Sequence, residues 1–475
     1  MPTDGKDHQQ GVLIRADNGD VITFDETGLT LKLSDTVLAD LKARLAPGLP
    51  PDPAEVLGDI DAWDLRQEGR WYRFTAEMDA TGPRGFQRRV EGGDIIAHAP
   101  GPLYGLFAIG GARRAGFNEA APAHPFHVLA PGDHIGAVGL EGTEEARPTD
   151  RLQRIRYATR ETLLADAMLA ARRAEFRARP LYLTRAETDG SATAAELAQG
   201  RAFDNLMAAA DSLIAAAESL GKRARVISVG LDFGLEDTVS DAAAHVAGLR
   251  ALMARVERGF NRRGLHRPTF LATFEAGTHE IGEHPVMQAH WELAWQHGAH
   301  DLVFPAPAYM AGMTRFGRPT EAGRIRLAEM DAHALTARLA RQEWTCPLFL
   351  LAEHDGPRIR VTARALADLV IDPADPFDAG PACGFAVTGC DSPVEVIGVE
   401  LAPDDPGSLI VTCDRVPSGP APMLTYARGG GPRSDGPANR GAIRDRWEAP
   451  SRTGGLPLYR WAYPAALPLH PEASA

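Results

Sequence analysis

The chain has 475 residues, 44% of them apolar and 24% charged, and a formal net charge of −13. That length allows two or three domains with proper cores, and the composition is that of an ordinary globular protein. The acidic balance argues against a nucleic-acid or anionic-membrane partner, because each of these wants a basic surface.

Met1 to Gly11 is polar and carries no apolar signal core, so synthesis in the cytoplasm without a signal peptide is expected. No run approaches the length of apolar sequence that spans a bilayer, so membrane insertion is not expected. Lysine occurs only at Lys6, Lys32, Lys42 and Lys222; nearly all positive charge is arginine, whose planar fork matters wherever several converge. Two strand-like runs flank the turn signal Asp17-Asn18-Gly19-Asp20, and Ser34-Asp35-Thr36 reads as a helix cap before the amphipathic run Val37 to Leu45. Pro47 to Pro53 reads as a linker, which makes residues 1–50 a small attachment segment.

Strand-like patterning occupies Trp63 to Val90, and residues 100–345 then alternate. Strands are expected at Asp94–His98, Tyr104–Ile109, Arg179–Thr184, Ala224–Leu231, Pro268–Phe274 and Asp301–Phe304. Helices are expected at Thr159–Arg177, Arg201–Leu220, Ala242–Phe260, Val286–Gln296 and Thr320–Leu339. Such alternation implies an α/β domain, 51–345, with a mainly parallel sheet flanked by helices. After Trp344 helical periodicity gives way to short β-rich runs broken by Pro, Gly and Asp, the pattern of an antiparallel β-sandwich over 346–475.

The chemistry-bearing motifs lie in the α/β region. Leu106 to Ile109 is a buried strand that turns through Gly110-Gly111-Ala112-Arg113-Arg114-Ala115-Gly116. This resembles the first block of the SGNH (GDSL-like) hydrolases, in particular phage-type carbohydrate esterases, where a strand enters G-Q-S-x-x-x-G and the serine is the nucleophile. Gly110 and Gly116 match the glycines, but the serine position is Ala112, and a methyl group cannot attack a carbonyl. Asp189-Gly190-Ser191-Ala192 matches the second block, whose glycine amide serves the oxyanion hole. The third block, W-x-Q-G-E-x-D, becomes Leu231-Asp232-Phe233-Gly234-Leu235-Glu236-Asp237, with Gly234 and Asp237 kept. Glu236 and Asp237 also have a plain reading as charge at a helix N-terminus. The fifth block, D-x-x-H before a P-T-x-x-G helix start, becomes Arg315-Phe316-Gly317-Arg318-Pro319-Thr320. Arginine stays protonated and cannot be a general base. The resemblance implies an SGNH-like, flavodoxin-type α/β/α sandwich with degenerate catalytic positions Ala112, Arg315 and Arg318. In the C-terminal part, Leu424-Thr425-Tyr426-Ala427 and Asn439 to Asp445 resemble patterns of the β-domain that follows such modules.

A cleft so altered would be lined by Arg113, Arg114, Phe117, Asn118, Gly190, Phe233, Asp237, Arg315, Phe316 and Arg318. Arginine forks and aromatic faces suit sugars, acidic ones above all; the competing reading is that these arginines pair with Asp189, Asp237 or surface acids. His279-Glu280-Ile281-Gly282-Glu283-His284 is one residue too long for a zinc helix, and Gly282 and Pro285 oppose one. His290 and His297 are expected on an exposed or half-buried helix side. Cys346, Cys383, Cys390 and Cys413 show no C-x-x-C pair and read as free thiols. No metal or cofactor is expected.

The expectation is a non-catalytic receptor-binding component of a phage or gene-transfer-agent particle, a head spike or tail fibre on the virion surface. It would bind host capsular polysaccharide, contact other particle proteins through residues 1–50, and form a homo-oligomer. The alternative is an active carbohydrate O-acetylesterase using Ser191 or Ser228 with His98, His279 or His284.

Overall fold

The computed structural model describes residues 11–15, 21–25, 28–38, 41, 52–78, 82–140, 143–276, 284–314, 318–428 and 440–471. Arg315, Phe316 and His279 therefore lie outside the described residues. Contacts divide the chain into two compact units, Met1–Gly92 and Gly93–Ala475. Residues after the proline-rich stretch thus group with the N-terminal strands, and the C-terminal strands are not separated from the α/β region.

The first unit holds an antiparallel meander, Gly11–Arg15, Val21–Asp25 and Gly28–Lys32. Pro53 opens a short helix, Pro53–Leu57, whose N-terminal amide is capped by Asp52 at 2.9 Å. The strand-like stretch after it resolves into three antiparallel strands, Ala62–Glu68, Trp71–Ala76 and Arg84–Arg89. Trp71, Phe74 and Phe86 are their buried anchors.

The second unit is built on β1 (Leu103–Gly110), β2 (Val128–Pro131), β3 (Leu152–Arg154), β4 (Leu181–Thr188), β5 (Ala224–Gly230), β6 (Thr269–Leu271) and β7 (Leu302–Val303). They lie in the order β3-β2-β4-β1-β5-β6-β7, and Val138–Gly139 adds a short pairing to β4. All pair in parallel except β3, which is antiparallel to β2. The central β1 and β4 are buried on both faces, as in a parallel sheet; β1 is largely apolar, and β4 buries Arg185 paired with Glu187 at 2.5 Å.

Besides the short helix Ala194–Leu197, five longer described helices accompany them: α1 (Arg160–Ala174), α2 (Arg201–Ser219), α3 (Ala242–Asn261), α4 (Pro285–Trp295) and, after β7, α5 (Glu321–Leu339). Thr159, Asp241 and Thr320 cap α1, α3 and α5 through side-chain oxygens on the orphan amides, which fixes where each begins. The chain passes from β1 to β4 on one side and returns to β5 on the other. With right-handed crossovers this places helices on both faces and creates a topological switch point beside β1.

Ten strands follow: β8 (Leu348–Asp355), β9 (Arg358–Arg364), β10 (Leu369–Ile371), β11 (Phe385–Thr388), β12 (Val396–Leu401), β13 (Ser408–Cys413), β14 (Met423–Tyr426), β15 (Ile443–Ala449), β16 (Leu458–Trp461) and β17 (Ala465–Pro471). Seven form a sheet in the order β11-β14-β17-β8-β9-β13-β12, and β10-β15-β16 form a second. The pairing departs from a purely antiparallel sandwich at one place. There β17, the last strand, returns parallel to β8.

This β layer is welded to the α/β layer. The Tyr309 hydroxyl donates to the Ala462 carbonyl at 2.7 Å, and the Tyr463 hydroxyl donates to the Phe304 carbonyl. Phe274 stacks on Tyr463 with ring centroids 4.7 Å apart, and the Trp291 indole donates to the Phe349 carbonyl at 2.9 Å. One continuous apolar cluster runs from Leu106 and Leu271 through Leu335 to Phe349, Tyr426 and Trp461.

Candidate functional site

The carboxyl ends of β1, β4, β5 and β6 converge at the switch point, where open α/β sheets place their ligands. β1 delivers Gly111 and Ala112, which opens a short 3-10 turn, Ala112–Ala115. β4 delivers Asp189 and Gly190, and the Asp189 amide donates to the Gly110 carbonyl at 2.9 Å. A Cβ on Gly190 would stand 3.2 Å from the Ala112 Cβ, so the residues matching the first two blocks face each other. The position that the resemblance matches to the nucleophile thus faces Gly190 and carries a methyl group.

The charges around it are spent on one another. Arg113 reaches two carboxylates: Nη2 and Nη1 donate to Glu275 at 2.8 and 3.1 Å, and Nε donates to Glu236 at 3.2 Å. The Arg113 backbone amide also donates to Glu236, at 3.1 Å. Burial pushes the Glu275 carboxyl up to about 7, with the Arg113 guanidinium acting against the rise.

Arg114 is buried and pairs with Glu161 and, at 2.6 Å, with Asp232. Arg160 bridges the same Asp232 oxygen at 2.6 Å and both Asp331 oxygens at 2.7 Å. Burial alone would raise Asp232, but Arg160 and Arg114 outweigh it and hold that carboxyl far below the usual range. Gly230 makes room for this network, since a Cβ there would collide with the Arg114 guanidinium. The arginines do form internal ion pairs, but with Glu236, Glu275, Glu161 and Asp232 rather than with Asp189 or Asp237.

The other sequence-selected residues scatter. Phe233 is buried and stacks on His245 with centroids 6.3 Å apart, so its ring faces protein. Asp237 is buried and accepts from His245 Nδ1 at 3.0 Å; that bond and the one from Ser240 overcome burial and lower its carboxyl. Neither Glu236 nor Asp237 begins a helix, because α3 is capped by Asp241. Asn118 is buried, accepts from Arg324 Nε at 2.7 Å and donates to the Glu321 carbonyl at 3.3 Å. Phe117 is half exposed on the far side of this segment. Arg318 is exposed in the turn before α5, its amide on Thr314 Oγ1 at 3.2 Å.

No described serine meets a histidine here. Ser191 Oγ donates to Asp189 at 2.8 Å, closing a turn. Ser228 lies inside β5 and is 2% exposed. His98 precedes β1, at the opposite end of the sheet from Ser191. His284 caps α4, its Nδ1 accepting from the Val286 amide at 3.2 Å. His290 is not on an exposed side: it is buried, its Nδ1 accepts from the Glu275 amide at 3.1 Å, and burial holds it well below the ordinary imidazole range. All four cysteines are free thiols.

The α/β layer is therefore doubly wound: β4-β1-β5-β6-β7 follow the flavodoxin-type order, β2 and β3 extend the sheet beyond β4, and the cleft lies at the switch point. Among solved structures, the chain aligns with a carbohydrate acetylesterase from Xanthomonas citri at a TM-score of 0.49 and 15% identity, over 82% of this chain and 86% of that one. It also aligns with the N-terminal part of the bacterial S-layer protein SbsC at a TM-score of 0.15 and 14% identity, over 43% and 40% of the two chains. No protein-family model and no curated protein matches the chain.

Proposed function

We propose that this chain is a non-catalytic carbohydrate-binding protein on an esterase-like scaffold. We place it as a receptor-binding spike or fibre component of a phage or gene-transfer-agent particle that grips host capsular polysaccharide. Residues 1–50 would meet other particle proteins, and the chain would act as a homo-oligomer.

One observation carries the loss of chemistry. The amide following Ala112 is occupied by the Glu236 carboxylate. An acyl-transfer site needs donors free to receive a developing oxyanion. Here a carboxylate already sits on the Arg113 amide, beside a side chain that cannot attack. The sequence resemblance to phage-type esterases supports the sugar and the particle.

The test is a capsular-polysaccharide array run beside hydrolysis of p-nitrophenyl acetate. The expected result is polysaccharide binding with no turnover above buffer. Turnover that Ser191→Ala abolishes would replace this reading with an active O-acetylesterase.

A further inference from the structure

The switch-point cleft has its arginines tied down, whereas a second concavity is lined by an arginine, Arg156, with no ion pair among the described residues. It is a groove of about 400 Å³ bounded by Phe117, the turn at Gly136 and the segment from Gln153 to Thr159. Pairing of Phe117 with Thr159 and of Asn118 with Ala158 brings two aromatic rings together at its rim. The Phe117 and Tyr157 rings are 5.1 Å apart and tilted by 46°, and the residues are 48% and 52% exposed. Two adjacent half-exposed aromatics are an unfavourable use of surface unless something covers them.

Their backbone is fixed from behind. Arg324 donates to the Phe117 carbonyl at 2.8 Å and to Asn118 Oδ1 at 2.7 Å. The opposite wall is equally rigid. Asp133 accepts from the Ile135 and Gly136 amides at 3.1 and 2.8 Å, and buried Arg185 holds both Asp133 and the Gly136 carbonyl. Gly136 has φ +78°, and a Cβ there would press to 2.9 Å on the Gln153 carboxamide nitrogen. A preformed wall lowers the ordering cost of binding.

The polar groups facing the groove are of the kind sugars use. Arg156 is exposed and makes no ion pair among the described residues, and none of the described lining residues is a carboxylate. Arg154 also lines the groove, but its guanidinium lies over the Phe126 ring at 5.4 Å and is paired with Asp94 at 4.0 Å. An exposed arginine such as Arg156, with no ion pair among the described residues, stands out on a chain of charge −13. An aromatic face takes the C–H face of a pyranose, and a guanidinium fork matches a carboxylate bidentately.

From this geometry we infer that the Phe117–Tyr157 groove is the polysaccharide-binding subsite and that it takes a uronic-acid residue. The inference rests on the carbohydrate-binding reading above and moves the site away from the esterase-like cleft.

Oligogalacturonate and neutral dextran are titrated onto the full chain by calorimetry, beside the capsule array, with Tyr157→Ala and Arg156→Gln. Both side chains are exposed, so melting temperatures should not change. The wild type is expected to bind oligogalacturonate and not dextran. Each variant should weaken that binding at least tenfold, and Arg156→Gln should reduce its sensitivity to salt. Capsule binding that both variants retain overturns the groove and leaves the carbohydrate-binding reading intact. Dextran bound as tightly as oligogalacturonate overturns the uronate. A wild type that binds no polysaccharide at all overturns both readings.

Discussion

On the non-catalytic reading, a hydroxyl placed at position 112 should not bring hydrolysis. The new Oγ of Ala112→Ser would stand beside Gly190 with no described imidazole at hand, and Glu236 would still cover the neighbouring amide. Turnover of p-nitrophenyl acetate by that variant is expected to stay at the buffer rate. Glu275 gives a pH signature instead. Its carboxyl is raised from 4.5 to about 7, so the folded state holds a proton that the unfolded chain releases. Stability from this group is full below pH 4.5 and is lost as pH rises through 7, by about 3 kcal/mol in all. Glu275→Gln should flatten that slope, so its melting temperature relative to wild type climbs between pH 5 and 8; parallel curves would refute this. The glycines and Ala112 were legible in sequence because they follow a strand at fixed spacing. The partners of Arg113 were not, lying 123 and 162 positions away, where no local pattern reaches. Tyr157 and Arg156 gave no motif either; only the pairing of two short strands makes them neighbours of Phe117.

Helices were the most readable elements, their observed ends falling within three residues of those expected from apolar period and caps. Cap chemistry explains the sharp starts. Asp241 accepts from the Ala244 amide at 2.8 Å at the head of α3, and Asp241→Ala should destabilise the protein by about 1 kcal/mol in urea denaturation. Asp241→Asn, which keeps the acceptor, should restore most of it; equal losses would show that charge rather than the hydrogen bond matters. Short strands were the least readable. β2 and β3 span only Val128–Pro131 and Leu152–Arg154, too brief for a periodic signal, and β2 ends in a proline. Yet these two strands extend the sheet beyond β4 and lead the chain into the groove wall. What was missed in the elements is thus what builds the second concavity.

At the scale of the molecule, the change of character after Trp344 is real in secondary structure but not in packing. Tyr309, Tyr463 and Trp291 each place a polar tip on a carbonyl of the opposite layer. Cutting the chain after residue 345 would expose the apolar cluster shared by Leu335, Phe349 and Trp461. A fragment of residues 93–345 should therefore aggregate or melt without a cooperative transition, whereas 93–475 should unfold in a single calorimetric peak. A sharp transition from the shorter fragment would refute this. The shared tyrosine contacts also bear on mechanics. A pull on a held strand of the β layer meets side-chain ties into the α/β layer, so within residues 93–475 the two layers must shear together.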